Sequence, residues 1–152
     1  MATGFINSCN QKEVSEKGPY EGMKLLDERL ELSLMAEDPE IVTPIGIAID
    51  SQDRIFVLES HTHLPPKDYI GPTGDLIKVF QDSNRDGMMD SVTLFAEGIK
   101  EGLNIAFSPE GNLYVVTSKE VWVYYDRDGD GISEESRKLL ALTEPEQVYA
   151  HA

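Results

Sequence analysis

A stretch of this chain is written twice. Residues 47–60, Ile-Ala-Ile-Asp-Ser-Gln-Asp-Arg-Ile-Phe-Val-Leu-Glu-Ser, align with residues 105–118, Ile-Ala-Phe-Ser-Pro-Glu-Gly-Asn-Leu-Tyr-Val-Val-Thr-Ser. Each copy reads as strand, tight polar turn, strand, with Pro109 and Gly111 where a hairpin turn wants them. Each is followed by a third apolar run (75–80 and 120–125), an acidic loop (82–90 and 126–134) and a fourth run (91–95 and 137–141). A four-strand unit of roughly 45 residues is the size of a β-propeller blade. Short strands at this spacing can also be written as a sandwich, but a sandwich seldom repeats four strands together with their turns. The expected fold is therefore all-β: four-stranded antiparallel blades of a β-propeller. About two blades are present, fewer than the roughly 4–8 that close a propeller, so the chain reads as the N-terminal part of a longer protein. Residues 1–22 read as a polar tail and 23–152 as the partial propeller. Residues 29–34 alternate like a strand, although Leu25, Leu26 and Leu30 also allow a short helix.

In an up-and-down blade the first and third turns share one end. Both acidic loops are third turns and are expected on one face. The segment 61–74, inserted in the first copy alone, is a second turn and is expected on the opposite face. Connections between blades, such as residues 97–102, are expected to join it there.

The acidic loops carry the clearest chemistry. Asp82, Asn84, Asp86 and Asp90 place side-chain oxygens at positions 1, 3, 5 and 9 of the first loop, with the Met88 carbonyl in reach. Asp126, Asp128, Asp130 and Glu134 do the same in the second, with the Ile132 carbonyl. Glycine stands at position 6 of each, where a backbone wrapping a hard cation turns sharply. Hairpin turns need one or two such residues, not four oxygens in the same order twice. Ca²⁺ suits this donor set better than Mg²⁺, which rarely uses an all-protein cage. Position 12 is Thr93 or Arg137 rather than the bidentate Glu of an EF-hand. That loss predicts weak binding, a Kd of about 10⁻⁴–10⁻³ M.

The formal charge of −15 is in keeping with cation binding and argues against nucleic acid or anionic membrane surfaces as partners. No apolar run reaches the ~18 residues of a membrane span. The lone Cys9 excludes an internal disulfide. It follows Ile6-Asn7-Ser8 and precedes a polar stretch, which resembles the end of a bacterial lipoprotein signal. On that reading a lipid on Cys9 would anchor a periplasmic or outer-membrane protein. The bland alternative is an ordinary cysteine in a polar terminus.

His61 and His63 lie in the inserted segment, beside Lys67, Asp68 and Tyr69. Two histidines two residues apart can share a metal or a proton-transfer task, or simply decorate a proline-rich loop. Trp122 and Tyr124 alternate onto one face of a strand and are expected to pack rather than to bind.

The succession of residues 44–50, 54–57, 75–80, 82–90, 102–107 and the second acidic loop resembles a bacterial family of membrane-bound-dehydrogenase-like propellers. These are similar to quinoprotein glucose/sorbosone dehydrogenases. The resemblance spans residues 25–152, the first blades. It implies an exported protein with further blades downstream, often joined to a c-type haem domain. It also implies pyrroloquinoline quinone (PQQ), Ca²⁺ and a histidine base acting on a sugar or alcohol. His61 and His63 are the candidates for that base; residues for the quinone are not identifiable. A non-catalytic propeller binding glycan or protein, with structural calcium, is the alternative.

Overall fold

The computed structural model describes residues 22–142. The described residues divide between two compact units, 22–34 and 35–142. In the described part of the first, residues 22–34, neither the expected strand nor the helix forms. The Asp27 carboxylate takes the N–H and the guanidinium of Arg29, and the Leu30 N–H bonds the Asp27 carbonyl. These local bonds turn the chain where the alternating pattern asked for an extended strand.

The second unit contains two four-stranded antiparallel sheets. The first is ordered β1 (Pro44–Ile49), β2 (Ile55–Glu59), β3 (Asp75–Gln81) and β4 (Ser91–Ile99). The second is ordered β5 (Gly102–Phe107), β6 (Leu113–Thr117), β7 (Glu120–Tyr125) and β8 (Glu135–Ala141). Both are sequential meanders, as blades are.

The duplicated hairpins close with the same hydrogen bonds. Asp50 and Arg54 close the first through N–H to carbonyl bonding, and Ser108 and Asn112 close the second. Gly111 sits at φ 85°, and its counterpart Asp53 takes the same left-handed conformation at φ 62°. That conformation strains any residue with a Cβ, Asp less than most. Asp53→Gly should therefore be neutral or stabilising by up to about 1 kcal/mol, despite the entropy glycine adds to the unfolded chain. Asp53→Val should be clearly destabilising, and urea midpoints of the pair would show the opposite signs.

β4 runs past its expected end at Phe95 to Ile99. Two irregularities in its register with β3 and the positive φ of Gly98 let it continue through the polar Glu97. The connection to the second sheet therefore shrinks from the expected residues 97–102 to Lys100 and Glu101. β8 likewise begins at Glu135, before the expected residue 137.

One face of each sheet meets the other in a shared core. Phe56, Leu58, Ile77, Val79, Phe95 and Ile99 come from the first sheet, and Ile105, Leu113 and Val115 from the second. Phe56 packs edge-on against both Phe95 and Phe107, with ring centroids 5.1 and 4.8 Å apart. Trp122 and Tyr124 pack against this core, as their alternation foretold. The outward faces are different. Ile45, Ile47 and Ile49 of β1 are exposed, as are Val116 of β6 and Leu140 of β8 on the far side of the second sheet.

Candidate functional site

Both acidic loops join the third and fourth strands of their sheets and so share one end of the unit. They fold alike. Arg85 and Gly87 in the first take positive φ, matched by Gly129 and Gly131 in the second. In the second loop Asp126 accepts the N–H groups of Gly129 and Gly131 at 2.8 and 3.1 Å, and Asp128 accepts the N–H of Asp130. Asp130 accepts the N–H of Ile132, and Glu134 that of Arg127. The backbone thus holds all four carboxylates inward. One ligand oxygen from each of Asp126, Asp128, Asp130 and Glu134 lies within 4.8 Å of the others. Two of the four have shifted acidity. The Asp130 N–H draws the Asp128 pKa down, but desolvation and the neighbouring Asp130 and Glu134 carboxylates outweigh it and leave that pKa raised. Glu134 is held below its ordinary value, first by the Arg127 N–H.

The first loop repeats this bonding at equivalent positions, with Asn84 Oδ1 accepting the Asp86 N–H as Asp128 accepts that of Asp130. Asp82 accepts the N–H groups of Asp86 and Gly87, Asp86 that of Met88, and Asp90 the N–H and hydroxyl of Ser83. The Asn84 amide donates to Asp86 Oδ2. Among the described residues, the second loop is the group of three or more acidic side chains that converges closely.

Sequence reasoning missed Arg54. Its side chain is 8% exposed and joins the first sheet to the second loop. It donates to Asp50 Oδ2 at 2.6 Å, to Asp126 Oδ2 at 3.1 Å and to the Gly129 carbonyl at 2.9 Å. Burial works against its charge, but the bonds and charges of Asp50 and Asp126 prevail, and its pKa is raised. Asp126, the first residue of the candidate cation loop, is thereby already paired with an arginine from the neighbouring sheet. The only signal in the sequence was the change from Arg54 to Asn112 between otherwise similar copies.

The opposite end carries a cleft of about 720 Å³, lined among others by His61, Pro66, Tyr69, Pro72, Lys100 and Lys119. The inserted segment forms one wall and is tied down by Asp75, which is fully buried. Asp75 Oδ1 accepts the N–H groups of His61 and Thr62 at 2.7 and 2.8 Å, and Oδ2 accepts that of Gly102 at 2.7 Å. The Thr62 hydroxyl donates to Asp75 and accepts the Glu101 N–H. The two histidines part company here. His61 is buried against Glu59, with Nε2 at 3.3 Å from Oε2, and bonds the Tyr69 hydroxyl through Nδ1. His63 is exposed. His151 and Cys9 lie outside the described residues.

Two stacked four-stranded meanders define the class: an all-β unit consistent with neighbouring propeller blades. Residues 21–147 match the family described as Domain of unknown function (DUF7133), and the chain belongs to that family. No curated protein matches the chain. Among solved structures, the chain is similar to the holo form of the pyranose dehydrogenase PQQ domain from Coprinopsis cinerea, with a TM-score of 0.50 at 18% identity. The match covers 66% of this chain and 22% of that one, so the chain spans about a fifth of that structure's length.

Proposed function

We propose that this chain supplies two adjoining blades of an exported propeller related to quinoprotein sugar dehydrogenases, with Ca²⁺ held in the second acidic loop. The observation that carries the reading is the fold likeness to a PQQ domain over 66% of the chain. The exposed Ile45, Ile47 and Ile49 on one outer face, and Val116 and Leu140 on the other, support further blades on both sides. Unpartnered apolar sheet faces are otherwise a liability.

Asp126, Asp128, Asp130 and Glu134 fit a calcium ion by donor chemistry and by their inward convergence. The first loop, Asp82, Asn84, Asp86 and Asp90 with the Met88 carbonyl, would be the weaker of the two. Adding 10 mM Ca²⁺ to a site with a Kd of about 1 mM should raise stability by about 1.4 kcal/mol. Calcium titration followed by thermal melting would read this, and Asp128→Asn with Glu134→Gln should remove most of the gain. An unchanged midpoint in wild type would sink the calcium assignment.

PQQ is a different matter. Lys100 and Lys119 are the lysines lining the cleft, both exposed, and Lys119 lies 3.7 Å from Glu101, which is little basic charge for a tricarboxylate. The quinone is therefore assigned to blades outside this chain. What the chain offers a sugar or alcohol is the opposite-face cleft, with His61 as the candidate proton acceptor and His63 on the exposed loop beyond it. The test is dye reduction with aldoses by the protein carrying its downstream blades, Ca²⁺ and PQQ. Sugar binding without turnover would favour the non-catalytic module instead.

A further inference from the structure

The polar groups behind the cleft form an ordered series whose proton positions can be deduced. Glu59 is fully buried; its Oε1 accepts from Lys78 Nζ at 2.8 Å and from the Val42 N–H at 3.2 Å. With Oε1 so engaged, Oε2 is left for His61 Nε2. A carboxylate held as an ion pair with Lys78 is an acceptor only, so Nε2 carries the imidazole proton. In the neutral ring Nδ1 is then the acceptor, and the Tyr69 hydroxyl must donate to it. Tyr69 is partly exposed and lines the cleft, so its oxygen is open to a ligand there.

We propose that the Tyr69 hydroxyl, backed by His61 and Glu59, is the proton-accepting group of the cleft, acting on the hydroxyl of a small sugar or polyol. The imidazole thus stands one step behind the reacting atoms. A ligand O–H passes its proton to Tyr69 Oη, and the phenolic proton moves to His61 Nδ1. The resulting imidazolium is paired with Glu59, and one proton has left the ligand with no change in electron count. This is the logic of an activated hydroxyl, a base and an orienting carboxylate, with tyrosine in the outer place. Other charged groups near the series are Asp75, which accepts the His61 backbone N–H, and Lys100, Glu101, Lys119 and Glu120 around the cleft. The proposal deepens the dehydrogenase reading and rests on it for the ligand class alone.

Nitrogen-15 spectra of histidine-labelled full chain at pH 8 test the first step. His61 should be protonated at Nε2 and bare at Nδ1. Glu59→Gln should shift the tautomer toward Nδ1–H, whereas Tyr69→Phe, on the rim, should keep both the fold and the Nε2–H form. A wild-type ring protonated at Nδ1 overturns the relay, since Tyr69 would then be an acceptor from His61. The second step uses D-glucose as probe with the protein carrying its downstream blades, PQQ and Ca²⁺. Tyr69→Phe should lower kcat by about 10²-fold or more with little change in KM. An unchanged kcat also overturns the proposal. If wild type reduces no dye, the dehydrogenase reading falls, and the tautomer still decides the relay.

Discussion

Replacing Arg54 with methionine is expected to cost about 3–5 kcal/mol, the range seen when one partner of a buried ion cluster is removed. Arg54, Asp50 and Asp126 have side chains only 8–9% exposed. Methionine fills much of the same volume but leaves two carboxylates without a counter-charge and the Gly129 carbonyl without a donor. At roughly 4 °C per kcal/mol the midpoint should fall by about 12–20 °C. The triple change Arg54→Met with Asp50→Asn and Asp126→Asn should recover much of the loss, because the penalty lies in unpaired charge and not in the absence of the ion pair itself. Calcium should stabilise Arg54→Met more than wild type, since Asp126 Oδ2 would no longer be shared with a guanidinium. A loss below ~1 kcal/mol in urea unfolding, at unchanged m-value, would show that water reaches the cluster freely.

Asp75→Ala should be comparably damaging, by about 3–9 kcal/mol. It orphans the N–H groups of His61, Thr62 and Gly102 together, each costing about 1–3 kcal/mol when left unpaired in the interior. Asp75→Asn should lose less, about half. Its amide keeps one acceptor oxygen, but its NH₂ must face either the Gly102 N–H or those of His61 and Thr62. The damage should also be local in a recognisable way. Hydrogen exchange in the inserted segment 61–74 and at the connection Lys100–Glu101 should speed up before that of β6 and β7, because Asp75 is what ties the first two together. Uniform exchange across both sheets in Asp75→Asn would instead mean that the residue serves global stability and not the cleft wall.

Much of the architecture was legible because it follows from short-range pattern. The apolar runs Ile55–Glu59 and Leu113–Thr117, the turns at Asp53 and Gly111 and the spacing of the acidic loops are all local. A meander needs nothing more, since consecutive strands pair with each other. The leucines of residues 23–34 misled for the same reason: alternation describes which side of a strand is apolar but not whether a neighbouring strand exists to pair with it. β4 outran its expected end because the register shifts between Asp75 and Lys78 are a property of two paired strands, invisible in either alone.

The amino-acid sequence alone determined the repeat, the strand order, and the end of the unit at which the acidic loops and the inserted segment each emerge. Folding in three dimensions decided everything that depends on distant residues meeting. It put Arg54 onto Asp126, set Asp75 beneath two loops from different connections, and separated His61 from His63 by burying one against Glu59 and exposing the other. Strand pairing is encoded in neighbours along the chain. A buried charge must find its partner through space, wherever burial has made water too distant to serve.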